Sequence, residues 1–254
     1  MDVLVEDRLG TDPVANLALE EALVRAAPER ALLRVWQNST CVVVGRGQRV
    51  DREVDLAACR HDSVPVLRRA SGGGTVYHDL GNLNVTLVAP GRRPELLREL
   101  ARLLTDAIRE LGLEATIGER GVFVGSRKVS GLAMQVTGTG TLAHATLLVT
   151  TRAPLVGAYL TAAPPDSHPL DSRRASVAPL RAHEPTVDIE SATAAVRLVA
   201  ATYHGPSLPR LLRATERHWQ ARLLHERYDH PSWHLTGRPR EASWTTRPAS
   251  TSTA

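Results

Sequence analysis

Lys128 is the single lysine among the 31 lysine and arginine side chains of this 254-residue chain. Elsewhere a guanidinium serves, so position 128 asks for what a compact ammonium with three rotatable donors provides. That is a point charge able to sit between oxygens of a phosphate or carboxylate in a tight site. A lone lysine on a solvated loop carries no such meaning, but the neighbourhood here is ordered by pattern. Lys128 lies in Gly125-Ser126-Arg127-Lys128-Val129-Ser130-Gly131, after the apolar run Val122-Phe123-Val124. This spacing predicts strand, glycine-containing turn, strand, with the ammonium on a hairpin.

A second stretch carries the matching chemistry: Arg68-Arg69-Ala70-Ser71-Gly72-Gly73-Gly74-Thr75-Val76-Tyr77-His78-Asp79-Leu80-Gly81-Asn82-Leu83-Asn84. Three glycines after a strand let the backbone approach a ligand and aim N–H groups at an anion, while Arg68 and Arg69 complement its charge. A bare Gly-Gly-Gly is more often a flexible loop; here a strand precedes it and hydrogen-bonding residues follow, so a ligand-binding loop is the better reading. Neither GxxxxGK[ST] nor GxGxxG is present. Plainer roles stay open for several neighbours. His78 and His144 could be structural histidines, Tyr77 could pack in the core, and Asp79 could cap the following turn.

The elements that must hold these residues are legible in outline. Asp12-Pro13 reads as a cap and first turn, opening a helix to about Arg25. Strands are expected at Leu32–Trp36, Cys41–Val44, Val64–Arg68, Leu83–Val88, Val129–Val136 and Thr146–Thr150, the last two flanking a Gly138-Thr139-Gly140 turn. Between strands the turn Gly45-Arg46-Gly47-Gln48 carries a cation and an amide. From Pro94 to Leu111 apolar residues keep helical spacing, giving the clearest helix. Ala192 to Tyr203 repeats that spacing and is ended by Gly205, and a last helix is expected from Pro209 to about Glu226. Strands intermixed with helices indicate an α/β or α+β domain over 1–237. Residues 238–254, rich in Thr, Ser, Pro and Ala, are expected to be a disordered tail.

Composition narrows the function. Hydrophobic residues make up 43% and aromatics 4%, so the core is Leu, Val and Ala, and the four Trp and single Phe are packing residues rather than a base-stacking surface. A net charge of +4 comes without a dense basic tract; an anionic ligand or acidic protein partner explains it better than nucleic acid. Cys41 and Cys59 cannot build a disulfide framework and lack metal-site spacing. The acidic N-terminus does not read as a secretory signal, and nowhere do eighteen apolar residues run together. No membrane association is expected, and a cytoplasmic location is.

On these residues the chain resembles the lipoate-protein ligase family, related to biotin protein ligases and octanoyltransferases. The resemblance begins at Asn16-Leu17-Ala18-Leu19-Glu20-Glu21 and continues through Val35 to Asn38 and Val43 to Gln48. It is strongest over Arg68 to Asn82 and returns at Arg127 to Ala133 and His144 to Leu148. It implies mixed β-sheets flanked by helices in a lipoate/biotin-ligase-like catalytic domain, without the C-terminal accessory domain that many members append. It further implies activation of lipoate or octanoate by ATP, with Mg²⁺, to an acyl adenylate. The acyl group would then pass to a lysine of an acceptor: a lipoyl domain of a 2-oxoacid dehydrogenase acyltransferase subunit, or the glycine-cleavage H protein. A separate accessory chain is a further implied partner.

By the same resemblance Lys128 would bridge the acyl carboxylate and the α-phosphate. Arg69, Ser71, Gly72, Gly73 and Gly74 would line the acyl and phosphate side; Val76, Tyr77, His78 and Asn82 would meet the nucleotide; Ser130, Gly131, His144 and Thr146 would help hold the adenylate. The sequence names no metal ligands. Such chemistry needs cations and donors rather than a covalent nucleophile.

The chain departs from the family's pattern in places. Arg120-Gly121 stands where an Asn-Asp pair is usual, removing an acidic residue from the nucleotide or metal side, and Arg120 would have to hold phosphate instead. Arg49 replaces an asparagine, and only His144, beside Ala143, remains of two adjacent histidines. Two other readings follow: an octanoyl or lipoyl transferase without ATP, which would need a reactive cysteine, and a non-catalytic lipoyl-ligand-binding member. Biotin ligation is less well matched.

Overall fold

The computed structural model describes residues 1–4, 10–161, 168–206 and 208–238. The expected tail from 239 onward lies outside the described residues. In chain order the elements are β1 (Asp2–Leu4), α1 (Pro13–Arg25), β2 (Leu32–Trp36), β3 (Cys41–Val44), α2 (Val50–Glu53), α3 (Leu56–His61), β4 (Val66–Arg68), β5 (Val76–His78), β6 (Asn82–Pro90), α4 (Leu96–Glu110), β7 (Ala115–Gly118), β8 (Gly121–Val124), β9 (Arg127–Val136), β10 (Gly140–Leu148), α5 (Ala153–Tyr159), α6 (Ile189–His204), β11 (Leu208–Arg210), α7 (Ala214–Leu223) and α8 (Pro231–Thr236).

The strands form an eight-stranded sheet in the order β11-β1-β2-β6-β10-β9-β8-β7 and a three-stranded sheet β4-β3-β5. Both are mixed: β1 pairs parallel with β2 and β11, and β3 parallel with β4, the other pairs being antiparallel. This is the expected mixed α/β architecture.

Strand β6 sets the two faces of the large sheet. Its sequence alternates, so Leu83, Val85, Leu87 and Ala89 join a core with Leu96, Leu100, Leu103, Leu104 and Ile108 of α4 and Val196 and Val199 of α6. Each fully buried leucine contributes about 2 kcal/mol to that layer. Asn82, Asn84 and Thr86 point to the opposite face, where α1 covers part of the sheet. Asp12 starts α1 by accepting from Val14 N and Ala15 N, with Pro13 in the first turn. Helix α1 is buried all round from Ala15 to Val24, including Asn16, Glu20 and Glu21, a sign of polar partners inside. Glu21 has them in Arg25, Arg227 and Tyr228.

Three expectations shift. The strand expected at Thr146–Thr150 runs over Gly140–Leu148. Ala143, His144 and Ala145 are weak strand formers alone, but β6 and β9 pair with this segment on either side. The strand expected from Val64 is shorter, Val66–Arg68. The helix expected from Pro209 to Glu226 is instead strand β11, then α7, then a π-helical turn Leu224–Tyr228. Residues Leu208–Arg210 find a distant partner in β1, and Pro209 is tolerated because β11 is an edge strand.

Candidate active site

A cleft of about 640 Å³ opens between the two sheets. Its floor is one lateral row of the large sheet: Trp36 on β2 faces Asn84 on β6, which faces Thr146 on β10, which faces Gly131 on β9. Residues in register share a face. Opposite stand Val43, Val76 and the glycine loop, and along the rim runs the segment 169–177.

The glycine loop is braced from within rather than left open. Arg69 is buried and donates to the carbonyls of Val43, Gly72 and Gly74 and to Ser71 Oγ, at 2.7 to 3.2 Å. Burial and the neighbouring Arg68 push its pKa down to about 10; it remains charged at neutral pH. Arg68, also buried, donates to Gly45 O, Arg46 O and Gln48 O and to three carbonyls of α8. It therefore joins α8 to the Gly45–Gln48 turn and does not face ligand. The expectation that both arginines complement an anion is corrected for Arg68: its donors serve the fold.

The glycines also have distinct uses. A Cβ at Gly45 would stand 2.1 Å from Gly73 O, and one at Gly74 would meet Ser172 Oγ at 2.9 Å, whereas Gly72 faces open space. Two of these absences thus allow loops to touch. Gly73 has φ +85°, a conformation glycine adopts without strain.

Segment 168–178, for which sequence periodicity offered no signal, ties the rim together. Gln48 donates to Leu170 O and Ser172 Oγ and accepts from Thr75 Oγ1 and Gly45 N. The buried Glu53 carboxylate accepts from Ser172 N at 2.7 Å and from Arg174 Nη2 at 2.8 Å. Farther along, Lys128 N donates to Ser176 O and Ala178 N to Lys128 O, fixing the backbone of the lysine.

The Lys128 side chain is the cation left without a partner among the described cleft-lining residues. Gly121 makes room for it: a Cβ there would lie 2.5 Å from Lys128 Cε and 2.1 Å from Ser130 O. Burial, and then the charge of Arg120, pull the Lys128 pKa below its ordinary value. A half-buried, unpaired ammonium beside a second cation can accept an anion.

A family model described as the lipoyl protein ligase A/B catalytic domain matches residues 12–200. The chain belongs to that family. A lipoate-protein ligase A of Psychrobacter cryohalolentis is 34% identical over 174 residues, covering 68% of this chain and 50% of the relative. The chain spans about half the length of the curated relatives it matches. Among solved structures, the bipartite lipoate protein ligase of Thermoplasma acidophilum, studied with its E2 lipoyl domain, superposes with TM-score 0.81 at 27% identity, covering 94% of this chain and 97% of that one. A lipoate-protein ligase A bound with ATP superposes with TM-score 0.80 at 25% identity, covering 92% and 98%.

In this lipoyl ligase family member most residues singled out from the sequence meet at the cleft: Arg69, Gly72, Gly73, Gly74, Val76, Tyr77, His78, Lys128, Ser130, Gly131, His144 and Thr146 all line it. Ser71 and Asn82 lie behind its surface. Ser71 Oγ bonds His144 Nε2 at 2.7 Å, and His144 Nδ1 bonds Glu20 Oε2 at 2.7 Å. Glu20 also accepts from Thr86 Oγ1, so a buried chain runs from α1 through His144 to the glycine loop. Asn82 Nδ2 donates to Asn84 Oδ1 at 3.1 Å. Tyr77 stacks on Tyr159, ring centroids 5.6 Å apart, so it packs as well as lining. Asp79 accepts from Gly81 N and Arg152 N, which is the turn-capping role. His78 Nδ1 faces Asn38 Nδ2 at 3.1 Å, and burial lowers its pKa to about 3. It is neutral, with Nε2 unpartnered.

Sequence reasoning missed Asn84, Glu53, Ser172 and Arg174. For Asn84 a signal existed in the alternation of β6; for the others none did, because Glu53 meets Ser172 and Arg174 only across 119 and 121 residues of chain.

Proposed function

We propose that residues 1–237 act as the catalytic unit of an ATP-dependent lipoate-protein ligase, activating lipoate or octanoate to the acyl adenylate and passing the acyl group to an acceptor lysine. Lys128, unpaired over Gly131 and Thr146, carries this reading. Its ammonium sits where a carboxylate and an α-phosphate could share it, and pre-placed charge is what in-line attack of one on the other requires. The relatives named for lipoate ligation, one of them bound with ATP, support the substrates.

Arg69 shapes the loop that receives the ligand, neutral His78 offers an Nε2 donor, and Thr146 positions Gly131 by accepting from its N–H at 3.1 Å. Ser71, His144 and Glu20 hold that loop against the sheet. Magnesium would arrive with the nucleotide. Among the described residues no group of three or more His, Cys, Asp or Glu could hold a metal, and the cleft carboxylates Glu119 and Asp171 are paired with Arg173 and Arg52. Arg120 takes the phosphate side vacated by an acidic residue.

A lipoyl domain of a 2-oxoacid dehydrogenase acyltransferase subunit, or the glycine-cleavage H protein, is the acceptor, with the Thermoplasma E2 lipoyl domain as precedent. The bipartite character of that ligase supports a separate accessory chain as a second partner. A cytoplasmic setting is part of the proposal; among the described residues no helix is long and apolar enough to cross a membrane. A cysteine-dependent transferase finds no support: Cys41 and Cys59 are buried, burial pushes both thiols above their ordinary range, and neither lines the cleft.

The test is lipoate-dependent exchange of labelled pyrophosphate into ATP, with and without a candidate accessory chain. Wild type should exchange, and Lys128→Arg should lose at least about 100-fold, of the order seen when one pre-placed charge-stabilising donor is removed. Near-normal exchange in the variant would sink the assignment of Lys128.

A further inference from the structure

Asn84 is 97% buried, being 3% exposed, yet it lines the cleft. Its Nδ2 has no partner. A buried donor left unpaired is costly unless something else completes it. One end of the amide is held: Asn84 Oδ1 accepts from Asn82 Nδ2 at 3.1 Å, which leaves Nδ2 as the unpartnered atom of a residue that lines the cleft.

What could complete it follows from the floor row. Gly131, Thr146 and Asn84 lie on three successive strands, so Gly131 and Asn84 are two strand spacings apart, roughly 10 Å. Lys128 Nζ stands over Gly131, 3.9 Å from where its Cβ would be. An ammonium thus ends the row on one side and an unpaired amide on the other, with Thr146 between them. A carboxylate taking one hydrogen bond of about 2.8 Å on each oxygen spans most of that gap. An anion at Lys128 also selects this orientation of the Asn82–Asn84 pair, because the reversed one would present an oxygen to it.

We propose that Asn84 is a second, uncharged donor to the acyl carboxylate, gripping the oxygen opposite the one held by Lys128 and so orienting the group for attack on the α-phosphate. This rests on the ligase reading above. It makes the site charge-economical: one cation suffices to hold the acid, and a neutral amide sets its plane.

The experiment compares binding of lipoate and lipoamide by calorimetry, without nucleotide, in wild type, Asn84→Asp and Asn84→Ser, each checked by thermal melting. Asn84→Asp should weaken lipoate at least tenfold, since two carboxylates would face each other, while lipoamide, whose amide can donate to the new carboxylate, keeps its affinity. Asn84→Ser, with a shorter donor, should lose severalfold for lipoate and stay folded if the aspartate does not. Equal losses for both ligands, or no loss for lipoate in either variant, would overturn the assignment. Failure of wild type to bind lipoate, or to exchange pyrophosphate in its presence, would instead overturn the ligase reading.

Discussion

The glycine loop and the lysine hairpin face each other across one cleft and are built on opposite plans. In the loop, Arg68 and Arg69 donate to backbone carbonyls at every turn, so their hydrogen bonds make shape, although Arg69 still lines the cleft. In the hairpin, Gly121 clears space for an ammonium with no hydrogen-bond or ion-pair partner among the described residues, and Asn84 across the floor keeps an N–H₂ unpartnered. A polar group satisfied inside the protein stabilises it; one left unsatisfied costs stability and is kept for a ligand. Counting cations around a pocket is therefore a poor guide to which of them bind. The informative quantity is which donors still lack an acceptor.

That contrast can be broken by paired substitutions. Arg68→Ala should cost about 3 kcal/mol or more, because six carbonyl contacts go with it and buried acceptors are left bare; the melting temperature should fall by roughly 10 °C. Lys128→Met should leave the melting temperature unchanged or slightly higher while abolishing exchange. If both variants lost stability alike, the division of labour between loop and hairpin would be wrong.

A smaller effect concerns Arg120, whose charge helps depress the Lys128 pKa. The ligand needs the protonated ammonium, so the rate should decline as pH rises through that lowered value. Arg120→Gln should move this alkaline limb of kcat/KM to higher pH, whatever it does to the maximum. An unmoved limb would separate the two cations.

Smallest is the acid response. His78 and His234 are held neutral, burial being the main cause in both. Their folded pKa values lie below the ordinary 6.5, so the stability they contribute is complete above 6.5 and is lost as pH falls from there toward about 3, where His78 titrates. Urea unfolding between pH 7 and 5 should show the decline, and His78→Gln should flatten it.

Much of this is legible in the sequence. Strands Leu32–Trp36 and Cys41–Val44 fall where β-branched and apolar runs ended at turn residues, and the α4 stripe and the Lys128 hairpin needed only local periodicity. What escaped depends on partners far away in sequence. Leu208–Arg210 becomes a strand because β1 is beside it. Arg68 looks like a ligand cation until Trp233 and His234, more than 160 residues later, are seen to accept from it. Ser172 and Glu53 belong to no periodic pattern at all, and only the folded rim brings them together. Sequence spacing reports which residues share an element, not which neighbours have already answered their hydrogen bonds.

A chain with one lysine offers, apart from its α-amino group, a single amine to the solution, and that amine is half-buried at the cleft. Acyl adenylates acylate amines indiscriminately once they escape. On the ligase reading proposed above, a surface whose other basic side chains are arginine and histidine leaves a leaked adenylate only the α-amino group and Lys128 as amines to modify, so an acceptor lysine would meet little competition from this protein. The same feature turns Lys128 into a built-in reporter: beyond the α-amino group, an amine-selective label would read the occupancy of the site directly, one further modification per empty cleft.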